Sequence, residues 1–290
     1  INDQNLESLA SDFKDEKFAL DSYRRLIQMY GNVVLNIEMD RFEAIIDNKK
    51  RIDGVDRDSD FNPDQMRWII EAFKNTVERF SKNPFPQNPN TQLMGAIEAV
   101  FKSWLNKRAK TYRRINNIPD EWGTAANVQS MVFGNLNEES GTGVAFTRFP
   151  STGKNKLYGE YLMNAQGEDV VAGIRTPFPI GKHEKNIRPS LEEESPDTYK
   201  KIEDIADKLE KHYKDVQDIE FTIEDNVVYV LQTRSAKRTA QASVKIAVDM
   251  HRENLLTKEE AINMVDANQI TSVLHPQFKE SADRELFEKG

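Results

Sequence analysis

The sequence predicts an α+β chain in which an antiparallel sheet is flanked on both sides by helical segments. Three observations carry this. Apolar residues recur every three or four positions across residues 18–80, and short β-branched and aromatic runs punctuated by Gly and Asn follow Pro119. The helical period then returns after Arg238.

In chain order, Phe18, Ser22, Leu26, Ile27 and Tyr30 fall on one helical face. Asn62-Pro63-Asp64-Gln65 reads as an N-cap, a first-turn proline and a capping-box glutamine. Met66, Ile69, Ile70, Phe73, Val77 and Phe80 then form the stripe expected to be buried. Pro84, Pro86 and Pro89 close the stretch as a linker would. The next helix carries Leu93, Ile97, Val100, Phe101 and Trp104 on one side. Residues 128–133, 143–146, 158–162, 170–171, 219–223 and 227–231 read as strands. One helix interrupts them, entered at Ser195-Pro196-Asp197, with Tyr199, Ile202, Ile205, Ala206 and Leu209 inward. The polar stretch 182–194 reads as an exposed loop. Thr257-Lys258-Glu259-Glu260 is a capping box ahead of Ala261 and Ile262.

Composition narrows the function classes. Forty basic against 48 acidic side chains leave a net charge of -8, so no concentrated basic surface is expected for nucleic acid. Cysteine is absent, which removes disulfides, thiolate catalysis and zinc–thiolate sites and fits a reducing cytoplasm. No apolar run approaches the roughly 20 residues of a membrane span. The start at Ile1-Asn2-Asp3-Gln4 has no initiator Met and no signal-peptide pattern, so an excised or truncated fragment is expected. His183, His212, His251 and His275 lack metal-ligand spacing and read as structural or exposed; His212 sits late in a helix, where the dipole favours it.

The chemistry concentrates in Asp218-Ile219-Glu220-Phe221-Thr222-Ile223, Glu224-Asp225-Asn226, and the run ending Leu231-Gln232-Thr233-Arg234. Two alternating runs around a short polar turn make a β-hairpin. Alternation puts Asp218, Glu220 and Thr222 on one face. It also places Val228, Val230, Gln232 and Arg234 on a common face of the returning strand. Folding about the turn brings Gln232 and Arg234 level with Glu220 and Asp218. Carboxylate and amide oxygens suit magnesium, which keeps phosphate and water as its other ligands, and arginine offers phosphate a planar fork. A solvated hairpin with a cross-strand ion pair would show the same pattern.

This pattern, Asp218-x-Glu220 followed by Leu231-Gln232-Thr233-Arg234, resembles the metal-and-phosphate end of the ATP-grasp fold in the dikinases that phosphorylate a histidine. Gln129-Ser130-Met131-Val132-Phe133-Gly134-Asn135 is similar to their inter-lobe hinge. The segments Ser140-Gly141-Thr142-Gly143-Val144-Ala145-Phe146-Thr147-Arg148, Pro150-Ser151-Thr152-Gly153 and Gly159-Glu160-Tyr161-Leu162-Met163-Asn164-Ala165-Gln166-Gly167-Glu168-Asp169 match closely. Phosphoenolpyruvate synthases and glucan, water dikinases share the outline, but the wording is most similar to the pyruvate, phosphate dikinase family. The resemblance runs from Ala19-Leu20-Asp21-Ser22-Tyr23-Arg24-Arg25 to Leu274-His275-Pro276.

The resemblance implies a helical subdomain over 1–90, a remnant of the first ATP-grasp lobe and the hinge over 91–135, the second lobe over 136–238, and a helical linker over 239–290 leading toward a phosphohistidine domain. It implies that Glu220 and Gln232 ligate Mg2+ on ATP, that Asp218 supports them, and that Arg234 contacts the transferring phosphates as the catalytic cation. Gln129, Met131 and Val132 would border the adenine, although apolar strand residues equally suit a core. Ser140-Gly141-Thr142-Gly143 suits a hairpin turn better than a phosphate cradle. Glu160, Asn164, Gln166 and Glu168 would line the cleft or form polar strand and turn faces. Arg148 and Arg175 would reach phosphate or lie in solvent. The implied parent is a cytoplasmic phosphotransferase, itself a homo-oligomer, with ATP and its own phosphohistidine domain as partners and neither nucleic acid nor membrane. The expected part is inactive alone. A phosphoenolpyruvate synthase fragment and a non-catalytic nucleotide-binding module are the alternatives.

Overall fold

A computed structural model describes residues 1–171, 175–182 and 188–267, together with 270 and 273. His183, His275 and the 274–276 end of the resemblance lie outside the described residues. The chain divides into two compact units, Ile1–Ser130 and Met131–Gly290, and the division falls inside the stretch 91–135.

The first unit is helical: α1 (Leu6–Phe13), α2 (Glu16–Met29) continuing into a π-helical turn (Tyr30–Val34), α3 (Met39–Asp53), α4 (Pro63–Ser81), α5 (Pro89–Ser103) and α6 (Lys107–Ile115). Asp15 caps α2 by accepting the Phe18 N–H. Phe18, Ser22, Ile27 and Tyr30 are buried there and Leu26 is half-buried, so the predicted face is the packed one. Both arms of the Asn62–Gln65 capping box form. Met66, Ile69, Ile70, Phe73 and Val77 pack with Tyr23, Phe42 and Phe61 in one core. Phe80, predicted to continue that stripe, is exposed instead. It lies in the last turn of α4, where the Arg41 guanidinium sits 4.2 Å above its ring. The α5 helix forms, but Leu93, Val100 and Phe101 stay exposed. The helix approaches its neighbours through Gly95, where a Cβ would stand 2.3 Å from Tyr30 Oη.

The strand predicted over 128–133 does not form. A strand needs a partner to satisfy its N–H and C=O groups; among the described residues none pairs with it, and Met131 is 66% exposed.

The second unit holds β1 (Gly141–Phe146), β2 (Tyr158–Met163), α7 (Gly167–Val171), β3 (Phe178–Pro179), α8 (Leu191–Glu194), α9 (Pro196–Tyr213), β4 (Gln217–Glu224), β5 (Val227–Ser235), α10 (Ala240–Arg252) and α11 (Lys258–Met264). The sheet runs in the order β3-β2-β1-β4-β5 with every described pair antiparallel, which is the predicted α+β arrangement. One face carries Ala145, Tyr161, Ile219, Phe221 and Ile223, packed on Leu191, Tyr199, Ile202 and Ala206 of α8 and α9. The α10–α11 pair builds a further cluster through Ala242, Ile246, Met250 and Ala261 with Val216 and Ala236, and its Thr257–Glu260 capping box forms as predicted.

Three readings of the sequence are corrected here. Residues 170–171 close the short helix α7 rather than forming a strand. Within 182–194, residues Leu191–Glu194 form α8, because Ser190 and Glu193 make a capping box and Leu191 is buried. Gly141 and Gly143 lie in the central strand rather than in a turn or a phosphate loop. A Cβ on Gly143 would stand 2.5 Å from the Phe221 ring, so glycine is what lets β1 and β4 pack this closely.

Candidate functional site

The β4–β5 hairpin turns at Asp225 and Asn226, whose φ values of 50° and 64° are both left-handed. Two such residues make a type I′ turn, whose twist matches that of the strands it joins. From the turn the register runs Glu224↔Val227, Ile223↔Val228, Thr222↔Tyr229 and Phe221↔Val230, and then shifts. Beyond the shift Glu220 faces Gln232 and Asp218 faces Arg234. Leu231 is the extra residue of a β-bulge. Counting from the turn without it would set Leu231 opposite Glu220.

The predicted pairing of Gln232 and Arg234 with Glu220 and Asp218 is therefore present, but strict alternation along β5 is not. Val228 and Val230 pair with the core residues Ile223 and Phe221, whereas Gln232 and Arg234 pair with the polar residues of β4. The common face predicted for all four is corrected by the bulge. The run Val227-Val228-Tyr229-Val230-Leu231, five apolar residues without alternation, is the sequence signal that could have revealed it.

The polar face extends beyond the hairpin. Glu160 pairs with Val144, which pairs with Glu220, so Glu160, Val144, Glu220 and Gln232 stand in one row across four strands. The next row is Tyr158, Phe146, Asp218 and Arg234. Strand spacing puts Glu160 about 10 Å from Glu220. Arg234 Nε donates to Asp218 Oδ2 at 2.8 Å, and its Nη2 lies 3.5 Å from Glu220 Oε1. Among the described residues no three His, Cys, Asp or Glu side chains gather as a cation cage. The donor set is two facing oxygen-bearing side chains, Glu220 and Gln232. This suits a hard divalent cation that keeps phosphate and water oxygens, and not one needing a complete protein cage.

The other predicted residues separate into groups. Met131 and Val132 open the second unit. The adjoining Phe133 N–H donates to Glu224, Gly134 O accepts from Ala165 N at 2.9 Å, and Asn135 accepts from Gln166 Nε2 at 2.9 Å. This anchors 133–135 at the end of the sheet where β1 begins, three to five residues, or about 10–17 Å, along the strands from the carboxylate rows. Gln129 belongs to the first unit and is exposed. Asn164 Nδ2 donates to Glu138, so Asn164 and Gln166 hold this anchored segment. Arg175 donates to the carbonyls of Met163 and Asn164.

Arg148 is neither solvated nor aimed at a ligand. It is fully buried at the end of β1, with Nε and Nη2 on Glu210 at 3.0 and 2.6 Å and Nη1 and Nη2 on Glu253 at 3.1 and 2.6 Å. Thr147 Oγ1 adds a third donor to Glu210 at 2.7 Å. Burial alone would lower the Arg148 pKa, but the hydrogen bonds to Glu210 and Glu253 outweigh it and hold it above the ordinary arginine value. His212 lies exposed in the last turn of α9, and the exposed His251 contacts Leu256 O through Nδ1 at 3.0 Å. Among the described residues no helix is long and apolar enough to cross a membrane.

An α+β lobe that buries one sheet face on helices and sets Glu160, Glu220, Gln232 and Arg234 on the other has the build of a ligand-binding domain. This chain is a member of the family described as pyruvate phosphate dikinase, AMP/ATP-binding domain, whose sequence model matches residues 82–188 and 179–255. It is 49% identical over its whole length to pyruvate, phosphate dikinase of Rhizobium meliloti, covering 33% of that protein. It is 52% identical over 97% of its length to that of Clostridium symbiosum, covering 32%. With the chloroplastic enzyme of Mesembryanthemum crystallinum it shares 45% identity over 97% of its length, covering 29%. The chain spans about a third of the length of these curated relatives.

Proposed function

We propose that this chain is the ATP-binding part of a pyruvate, phosphate dikinase and that the polar sheet face takes the nucleotide phosphates. The observation that carries the reading is the bulged register, which sets Glu220 opposite Gln232 and Asp218 opposite Arg234. Glu220 and Gln232 are the oxygen ligands for Mg2+, Asp218 orients its neighbours, and Arg234 presents its fork to the transferring phosphates. Gln129, Met131 and Val132 border the adenine, with the anchored 133–135 segment fixing that end. Bound magnesium would screen charge on the phosphate oxygens.

In the proposed parent reaction a histidine takes the β-phosphoryl of ATP and inorganic phosphate takes the γ-phosphoryl, leaving AMP and pyrophosphate. The phosphohistidine then converts pyruvate to phosphoenolpyruvate, or the reverse. The partner is the phosphohistidine domain of the same parent chain, in a cytoplasmic homo-oligomer. We assign 1–90 to a helical subdomain, 91–135 to first-lobe remnant and hinge, 136–238 to the second lobe and 239–290 to the linker. Calorimetric titration of the chain with Mg-ATP tests the reading. Weak but saturable binding that Glu220→Ala and Gln232→Ala each reduce is expected. Binding that neither change alters would overturn it.

A further inference from the structure

The helical unit concentrates positive charge on one short helix. In α6, Lys107–Ile115, five of the nine residues are basic and none is acidic, within a chain whose net charge is -8. Arg113 has a structural place: it is buried, its Nε donates to Asp120 at 2.6 Å and its Nη1 to Trp104 O at 2.6 Å. Lys107, Arg108, Lys110 and Arg114 are exposed, and among the described residues no carboxylate pairs with any of them. On α5, by contrast, Lys102 is paired with Glu98.

This arrangement works against the helix. Lys107 and Lys110 stand three residues apart and Lys110 and Arg114 four, spacings at which like charges face each other and repel. Lys107 and Arg108 also occupy the first turn, where the helix dipole disfavours cations. Lys107, Lys110, Thr111 and Arg114 follow the spacing of one helical face, and all four line an open hollow of about 680 Å³. The one carboxylate of that hollow, Asp120, is the partner of Arg113. The Thr111 hydroxyl makes no hydrogen bond among the described residues, whereas Thr76 in α4 turns its own onto Ala72 O at 2.9 Å.

We propose that this face of α6 is a binding site for a small anion carrying two or more linked phosphates. Lys107 and Arg114 lie about 10 Å apart along the helix axis, more than a single phosphate spans. Lys107 and Lys110 supply point charges, Arg114 its planar fork and Thr111 a neutral donor between them. A bound anion relieves the repulsion that the helix otherwise carries. The site uses no residue of the polar sheet face.

The probe is inorganic triphosphate, titrated calorimetrically into the 290-residue chain without divalent cation, with inorganic phosphate and an oligoglutamate peptide alongside. Triphosphate should bind saturably and phosphate much more weakly. The double change Lys110→Gln with Arg114→Gln should weaken triphosphate binding by roughly tenfold, the scale of two exposed charge contacts. Both side chains are exposed, so no core cavity opens. Without anion the variant should unfold at the same temperature as the unaltered chain or higher, because like charges have been removed; a lower temperature would make the cations structural and overturn the proposal. Triphosphate binding that the double change leaves intact would also overturn it, as would binding lost to Arg234→Gln alone, which would belong to the sheet face. A peptide that binds more tightly than triphosphate would assign the helix to an acidic protein surface instead.

Discussion

Two arginines of the sheet unit each meet two carboxylates, and the difference between them separates structure from function. Arg148 has no solvent exposure and every nitrogen of its guanidinium engaged by Glu210 or Glu253. It joins the end of β1 to α9 and to the residue following α10. Arg234 is 57% exposed, with Asp218 at 2.8 Å and Glu220 at 3.5 Å. A buried guanidinium without its partners would carry an unpaired charge in a low dielectric, so it cannot leave them. An exposed one is screened by solvent, so exchanging a contact there costs little. Full burial marks a structural pin, and exposure on the carboxylate-bearing sheet face marks a group within reach of a ligand.

The largest break in this comparison comes from removing the pin. Arg148→Met leaves buried Glu210 without its guanidinium, with the Thr147 hydroxyl still donating to it, and should cost about 3–5 kcal/mol in urea unfolding of the sheet unit. A loss below about 1 kcal/mol would mean that the carboxylates find other partners and that Arg148 is no pin.

Gly143→Ala should give a mixed signature. Its Cβ would stand 2.5 Å from the Phe221 ring and 2.7 Å from Glu160 O, pressing β1 away from both strands that carry the carboxylate row. Unfolding should show a loss of roughly 1–3 kcal/mol, the range of overpacking, with Mg-ATP affinity falling in parallel. A stability loss with intact affinity would detach the row Glu160, Val144, Glu220 and Gln232 from nucleotide binding.

Arg234→Lys keeps the charge and loses the fork. In the full-length parent, histidine phosphorylation should slow by roughly tenfold, about 1.4 kcal/mol, while stability stays within about 0.5 kcal/mol. Following the two half-reactions separately checks this, because pyruvate–phosphoenolpyruvate exchange should survive. Equal damage to both would remove Arg234 from the phosphates.

The helical unit supplies an intermediate case. Asp21 accepts from Arg24 Nη2 at 2.6 Å and from Arg25 Nε at 2.9 Å, with Arg24 almost buried and Arg25 half-exposed. Burial raises the Asp21 pKa, but the two arginines together outweigh it and hold the group below the ordinary aspartate value of 3.8. A lowered folded pKa means stability that is present above about pH 4 and lost as pH falls through the lowered value. The contribution should be about 1 kcal/mol or less, the scale of a partly exposed pair, and Asp21→Asn should remove this acid dependence. Unchanged acid unfolding in the variant would show that Arg24 and Arg25 are held by other contacts.

Much of the fold was legible in the sequence because local rules govern it. The α2 and α4 stripes, the four-residue capping boxes of α4 and α11 and the Asp225-Asn226 turn each depend on spacing that chain neighbours decide. The facing of Glu220 and Gln232 was also legible, yet it holds only because Leu231 bulges, and the loss of alternation over 227–231 marks that a slip occurs without fixing its position. The strand expected over 128–133 failed for a related reason: a strand is a property of two segments, and the second one is not specified by the first. Arg148 was misjudged because its partners lie 62 and 105 residues away, a distance at which sequence gives no warning of burial. The candidate residues were readable from their chemistry; their supports were not.

The central claim is that Glu220 and Gln232 face a ligand rather than a structural partner. Mg-ATP titration and urea unfolding, run on the same Glu220→Ala preparation, test it most directly. The account predicts an affinity loss of roughly tenfold, about 1.4 kcal/mol, with unfolding free energy changed by no more than about 0.5 kcal/mol. Unchanged affinity with a lowered unfolding free energy would place Glu220 in a structural network and contradict the account.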